Sequence, residues 1–112
     1  MKKLKVLCLS GNKLSDINIL EKVNFRELKE LNWHLNKISN IIVLEKVDFK
    51  ELRELYLNNN RISDINILEK VDFKVLNKLC LHYNRISNFK ILEKANFKEL
   101  KELDIRFNEK KS

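Results

Sequence analysis

The chain has 112 residues, of which 44% are hydrophobic and 35% charged, with a single glycine, no proline and a net charge of +7. That length suits one domain, and that balance describes a folded, charge-covered protein instead of a disordered one. No apolar run approaches the roughly 18 residues that cross a bilayer, so no membrane association is expected.

The N-terminal MKKLKVLCLS begins basic, but Lys5 and Ser10 interrupt its apolar stretch. It also falls in register with everything that follows, so it reads as structure and not as a signal peptide. Leu4 opens the pattern Leu-x-x-Leu-x-Leu-x-x-Asn, and the pattern reopens at Leu28, Leu52, Leu76 and Leu100, always 24 residues on. Within each copy the alternation seen at Leu55 and Leu57 predicts a strand with one buried face. Asp16, Asn40, Asp64 and Asn88 each precede a short segment spaced by three, as in Ile65, Leu68 and Val71. That arrangement predicts an N-capped turn or so of helix, either an ordinary one or the tighter three-residue kind.

The phrase LEKVDFK then appears at 44–50 and again at 68–74, with the near-copies LEKVNFR at 20–26 and LEKANFK at 92–98. It returns Phe25, Phe49, Phe73 and Phe97 to the interior before the next strand. Asn12, Asn36, Asn60, Asn84 and Asn108 form a column expected to turn inward and satisfy the backbone of each turn, since buried backbone groups must be paired. Trp33 replaces the Leu9, Leu57, Leu81 and Ile105 of the other copies and is expected in the core. No copy can bury its apolar face alone, so neighbours must stack into one core. The expected organisation is a single domain over residues 1–112, with four full repeats starting at Leu4, Leu28, Leu52 and Leu76 and a partial fifth at Leu100.

These residues resemble a leucine-rich repeat over nearly the whole chain, from Leu4 to Asn108. The segment Asn60 to Leu68 resembles the repeats of bacterial internalins and of the nuclear regulatory subunit of type-1 protein phosphatase. Those units typically run about two residues shorter, the extra residues here falling around Val71 to Phe73. The resemblance implies an α/β solenoid: a right-handed horseshoe segment with a parallel concave sheet and short helices or 3-10 turns on the convex side.

Laid over one another, the repeats keep their back wall and vary elsewhere. Three outward columns vary from copy to copy: Cys8, Asn32, Tyr56, Cys80, Asp104; Ser10, His34, Asn58, His82, Arg106; and Gly11, Leu35, Asn59, Tyr83, Phe107. Side chains two apart on a strand share a face, and all three columns are expected on the concave sheet. A repeating wall with a variable face points to a non-catalytic protein-binding module. The residues expected to carry the contact are Asn32, His34, Leu35, Tyr56, Asn58, Arg61, His82, Tyr83, Arg85, Arg106 and Phe107.

A basic column, Lys13, Lys37, Arg61 and Arg85, runs along one edge to Glu109, and a sparser acidic one, Glu30, Glu54 and Glu102, along the other. They suit a protein partner whose acidic groups meet the basic edge, with apolar anchors in the centre. Nucleic acid is disfavoured, because much of the excess charge sits at Lys2, Lys3, Lys5, Lys110 and Lys111 or is interleaved with Glu on the wall. Cys80, His82 and Asp104 lie close enough to suggest a metal or thiol site, yet an open sheet supplies neither a dry pocket nor an oxyanion donor. No cofactor, no metal and no enzymatic activity are therefore expected. Cys8 and Cys80, about 14 Å or more apart on one strand column, cannot bridge within the chain. Two free thiols on an open face suit the cytoplasm. Uncapped apolar ends give the alternative reading, an assembly element that self-associates as a homo-oligomer.

Overall fold

Leucines two apart, one inside a three-residue strand and one just past it, leave one side of the chain greasy and the other free, and only a neighbouring copy can cover the greasy side. The computed structural model describes residues 4–11, 17, 26–95 and 97–108. Five strands, β1 (Val6–Cys8), β2 (Glu30–Asn32), β3 (Glu54–Tyr56), β4 (Lys78–Cys80) and β5 (Glu102–Asp104), form one parallel sheet in chain order. The register pairs Leu7 with Leu31, Leu31 with Leu55, Leu55 with Leu79 and Leu79 with Leu103. The 24-residue repeat of the sequence is thus the period of the sheet. Asn12, Lys13, Asp16, Phe25, Glu109 and the terminal Lys2, Lys3, Lys110 and Lys111, all assigned roles above, lie outside the described residues.

Opposite the sheet stand, among the described residues, three single turns of 3-10 helix, Ile42–Glu45, Asn66–Glu69 and Lys90–Glu93. Each is closed by an i to i+3 bond, as when the Lys46 N–H donates to the Val43 carbonyl at 2.9 Å. One turn is all the available chain allows, and the tighter helix suits so short a run. The polar residue ahead of each turn does accept an orphan N–H, but one step earlier than a formal cap. Asn40 Oδ1 accepts from Ile42, Asp64 Oδ1 from Asn66 and Asn88 Oδ1 from Lys90, at 2.9, 2.9 and 3.0 Å. The residues in the N-cap position itself, Ile41, Ile65 and Phe89, are apolar and make no such bond. The capping expected from sequence is therefore made as a turn spanning two residues, which leaves the isoleucines Ile41 and Ile65 free to enter the core.

Between sheet and wall lies the core. Leu28, Leu31, Leu52, Leu55, Leu57, Leu76, Leu79 and Leu81 are fully buried, and Phe49 and Phe73 meet there with ring centroids 6.3 Å apart. Trp33 takes its place among them, as its position in the leucine column predicts; its Nε1–H finds no partner among the described residues. No helix among the described residues is long and apolar enough to cross a membrane.

The inward asparagines do more than close their own turns. Asn60 Nδ2 donates to the Leu57 carbonyl of its own coil and to the Trp33 carbonyl of the coil before, both at 3.0 Å, while its Oδ1 accepts the Ile38 N–H at 3.0 Å. Asn84 repeats this with Leu81, Leu57 and Ile62, and Asn108 with Ile105, Leu81 and Ile86. The column is a ladder that ties each coil to its predecessor. With the strand register it fixes the spacing of everything displayed outside.

Candidate functional site

The outward positions of the strands and of the turns that leave them make up the variable face. Past β2, β3 and β4 the ladder continues, with Trp33 N–H donating to the Tyr56 carbonyl, Leu57 to Cys80 and Leu81 to Asp104 at 2.8 to 2.9 Å. The chain then turns at Gly11, Leu35, Asn59, Tyr83 and Phe107, all with φ between 57° and 70°. This explains why the third variable column faces out even though it stands an odd number of residues from the other two. A left-handed residue reverses the alternation, sending the preceding and following side chains to new sides. Glycine takes that conformation freely and Asn tolerates it, whereas Leu, Tyr and Phe hold it at a cost of about 1 kcal/mol or more.

Around coils 4 and 5 five side chains close a ring of contacts. His82 Nδ1 lies 3.4 Å from Asp104 Oδ2, a separation at which a charged imidazole pairs but no aligned hydrogen bond forms. Asp104 receives the Arg106 guanidinium through Nη2 at 2.7 Å and Nε at 3.0 Å. Arg106 stands 5.6 Å over the Phe107 ring, Phe107 stacks on Tyr83 at 4.6 Å and 12°, and Tyr83 meets the edge of His82 at 5.8 Å. Bonded first by Arg106, the Asp104 carboxyl is held down to about 2. Tyr83 is 50% and Phe107 61% exposed, so the stack offers an apolar face to solvent.

The middle coils are more polar. Tyr56 is half-buried, donates to Glu54 at 2.5 Å and lies under the Lys78 ammonium at 5.2 Å; burial, with that bond, pushes its phenol up to about 12. Lys78 reaches Glu102 at 3.5 Å, interrupting the acidic column. Asn58 donates to Asn59 at 2.8 Å, and His34 engages Asn32 through both its backbone N–H and its ring. Leu35 is 54% exposed, and Lys37, Arg61 and Arg85 are exposed beyond it.

Sequence reasoning placed His82, Tyr83, Arg106 and Phe107 on one surface, and they meet there. Asn32 and His34 pair separately on coil 2, and Tyr56 turns toward Glu54 and Lys78. Asp104, which joins the ring together, stood in the outward column and in the metal or thiol grouping but not among the expected contact residues; its register beside Cys80 is the signal that could have shown its role. One expectation is corrected. Cys80 is not an open thiol but 7% exposed, flanked in register by Tyr56 and Asp104, and burial pushes its thiol up. Cys8, with a neighbour on one side only, is exposed and held down by its bond to Ser10. Among the described residues no cluster of three or more His, Cys, Asp or Glu could hold a metal ion.

A parallel sheet backed by one-turn helices, rung by 24-residue units and stapled by an asparagine ladder, defines a leucine-rich-repeat solenoid. The Leucine Rich Repeat family model matches residues 3–23 and 51–70. The fold is similar to an internalin of Listeria monocytogenes, with a TM-score of 0.79 and 25% identity over 97% of this chain and 30% of that one. It is also similar to internalin C2 of the same organism, with a TM-score of 0.62 and 23% identity over 87% of this chain and 38% of that one. The chain has the fold of a leucine-rich-repeat solenoid with repeats that resemble those of internalins, and it spans about a third of the length of those two structures. Among curated proteins none matches its sequence.

Proposed function

We propose that the protein is a non-catalytic interaction module that binds a partner protein through its variable sheet face. Leucine-rich repeats support an interaction role in general. The observation that carries the finer reading is the ring of His82, Asp104, Arg106, Phe107 and Tyr83, which holds two large aromatic side chains half in water. Neither folding nor the core requires them there, since equivalent positions hold Gly11 and Asn59. Exposed aromatic area beside Arg is the composition of an interface anchor. Lys37, Arg61 and Arg85 alongside it favour a partner carrying acidic groups.

The test compares three forms as bait in extracts of the source cell: wild type, the face variant Tyr83→Ser with Phe107→Ser, and the wall variant Glu69→Lys. The partner is expected with wild type and wall variant and lost with the face variant. Retention by the face variant together with loss by the wall variant would move the interface to the other side of the molecule.

A second reading rests on coil 5. Leu103 is 42% exposed where its register partner Leu79 is 0%, and Leu100 and Ile105 are also less buried than their counterparts. That surface supports an assembly role through stacking of copies.

A further inference from the structure

Two rows on the rim of the sheet run side by side across the coils. In the turn of coil 2 the burial pattern is out, in, out, in: Leu35 exposed, Asn36 buried, Lys37 exposed, Ile38 buried. The same holds at Tyr83, Asn84, Arg85 and Ile86. The left-handed residue and the residue two beyond it therefore share a side, one row contributing Leu35, Tyr83 and Phe107 and the other Lys37, Arg61 and Arg85.

The basic row is held at strand spacing. The Arg61 N–H donates to the Ile38 carbonyl and the Arg85 N–H to the Ile62 carbonyl, both at 2.8 Å, so the backbone ladder persists beneath the cations. Three positive side chains thus rise about 5 Å apart, and like charges at that distance oppose folding. Elsewhere the molecule pairs such groups, as in Arg26 with Asp48 and Lys78 with Glu102. Among the described residues no carboxylate pairs with Lys37, Arg61 or Arg85. The missing carboxylates are expected on another molecule.

Spacing decides what shape that molecule has. From Lys37 to Arg85 the backbone advances two rungs, about 10 Å. An α-helix lying across the strands advances about 10.5 Å from i to i+7, with i+3 or i+4 between, so it sets one carboxylate per turn against one cation per coil. An extended segment repeats the same side every two residues and reaches about 13 to 14 Å over three such positions, out of step by most of a coil. A helix also carries an apolar stripe parallel to its acidic one, matching the two rows here. Resting on the sheet-face reading above, we infer that the partner element is an amphipathic α-helix with an acidic stripe. It lies across the coils with its carboxylates over Lys37, Arg61 and Arg85 and its apolar stripe on Leu35, Tyr83 and Phe107.

The experiment uses fluorescent peptides of about 16 residues, long enough to cross four coils as a helix. The first carries Glu at i, i+4 and i+7 beside a Leu stripe; the second is the same with a central Pro, which breaks the helix; the third alternates Glu and Val. Single-stranded poly(U) is the fourth ligand. The first peptide is expected to bind, to gain helical circular dichroism on doing so, and to lose affinity at least about tenfold in Arg61→Glu with Arg85→Glu, by the weight such charge reversals carry across interfaces. The Pro peptide should bind at least about tenfold more weakly, helix order being what it loses. Thermal melts identical to wild type show that the variants fold.

Equal binding of the Pro or alternating peptide overturns the helix while leaving an acidic partner on this rim. Absence of binding by all three, or preference for poly(U), overturns the inference outright. The broader reading fails on a different result, retention of the natural partner by the Tyr83→Ser, Phe107→Ser protein.

Discussion

Asp104 shows how much one outward side chain can organise. Its carboxylate takes two bonds from the Arg106 guanidinium, a third from the Arg106 N–H at 3.1 Å, and faces His82. The Arg106 bonds bring its value down to about 2, against about 3.9 in an unfolded chain. A depressed folded value means stability that is present above about pH 4 and lost as pH falls through about 4 to 2. Arg106 is exposed, so screening keeps the effect small. Urea midpoints measured through that window should fall less in Asp104→Asn than in wild type; parallel curves would mean the ion pair does nothing for folding. Facing was legible from the sequence at this position, because alternation and a constant period decide which side a residue takes. Accessibility was not, and Cys80 shows why. Its burial depends on Tyr56 and Asp104 standing on both flanks, and a column of single residues does not reveal how far its neighbours lean.

At the scale of the coil, the asparagine ladder and the left-handed turn act together. Asn60 fills both lone pairs of the Trp33 carbonyl in company with Asn36, and its Oδ1 is the partner of the buried Ile38 N–H. Asn60→Ala should destabilise by about 2 to 4 kcal/mol, since it strands a buried donor and removes bonds linking two coils. Asn60→Asp keeps the acceptor, yet sets a carboxylate against the Trp33 and Leu57 carbonyls, and should be at least as damaging. Urea unfolding gives both numbers, and a loss below about 0.5 kcal/mol would show that water replaces the amide. The inward asparagine could be read from its fixed place in the repeat. The turn beside it could not, since among its occupants only Gly11 and Asn59 are residue types that signal positive φ. Leu35, Tyr83 and Phe107 are forced into it by the ladder on either side, a tertiary effect that overrides local preference. The same override creates the apolar row that the proposed partner would cover, so the proposed contact rests on the least legible feature of these coils.

For the molecule as a whole, stability depends on where a coil sits in the stack. Each coil meets only its neighbours, so intrinsic terms and interface terms add along the solenoid. Leu55 and Leu103 are the same residue in the same register column, yet one is 0% and the other 42% exposed. Leu55→Ala removes side-chain atoms packed on both sides and should cost about 2 to 5 kcal/mol. Leu103→Ala removes atoms already half in water and should cost less than about 1.5 kcal/mol, because little buried area is lost. Denaturant unfolding of the two variants at low micromolar concentration measures the contrast directly. Equal losses would mean that the outer side of coil 5 is covered in solution. Repeating the Leu103→Ala measurement over a range of protein concentrations then identifies the cover. A cost that grows with concentration points to a second copy stacked on β5, and a constant one to cover from within the chain itself.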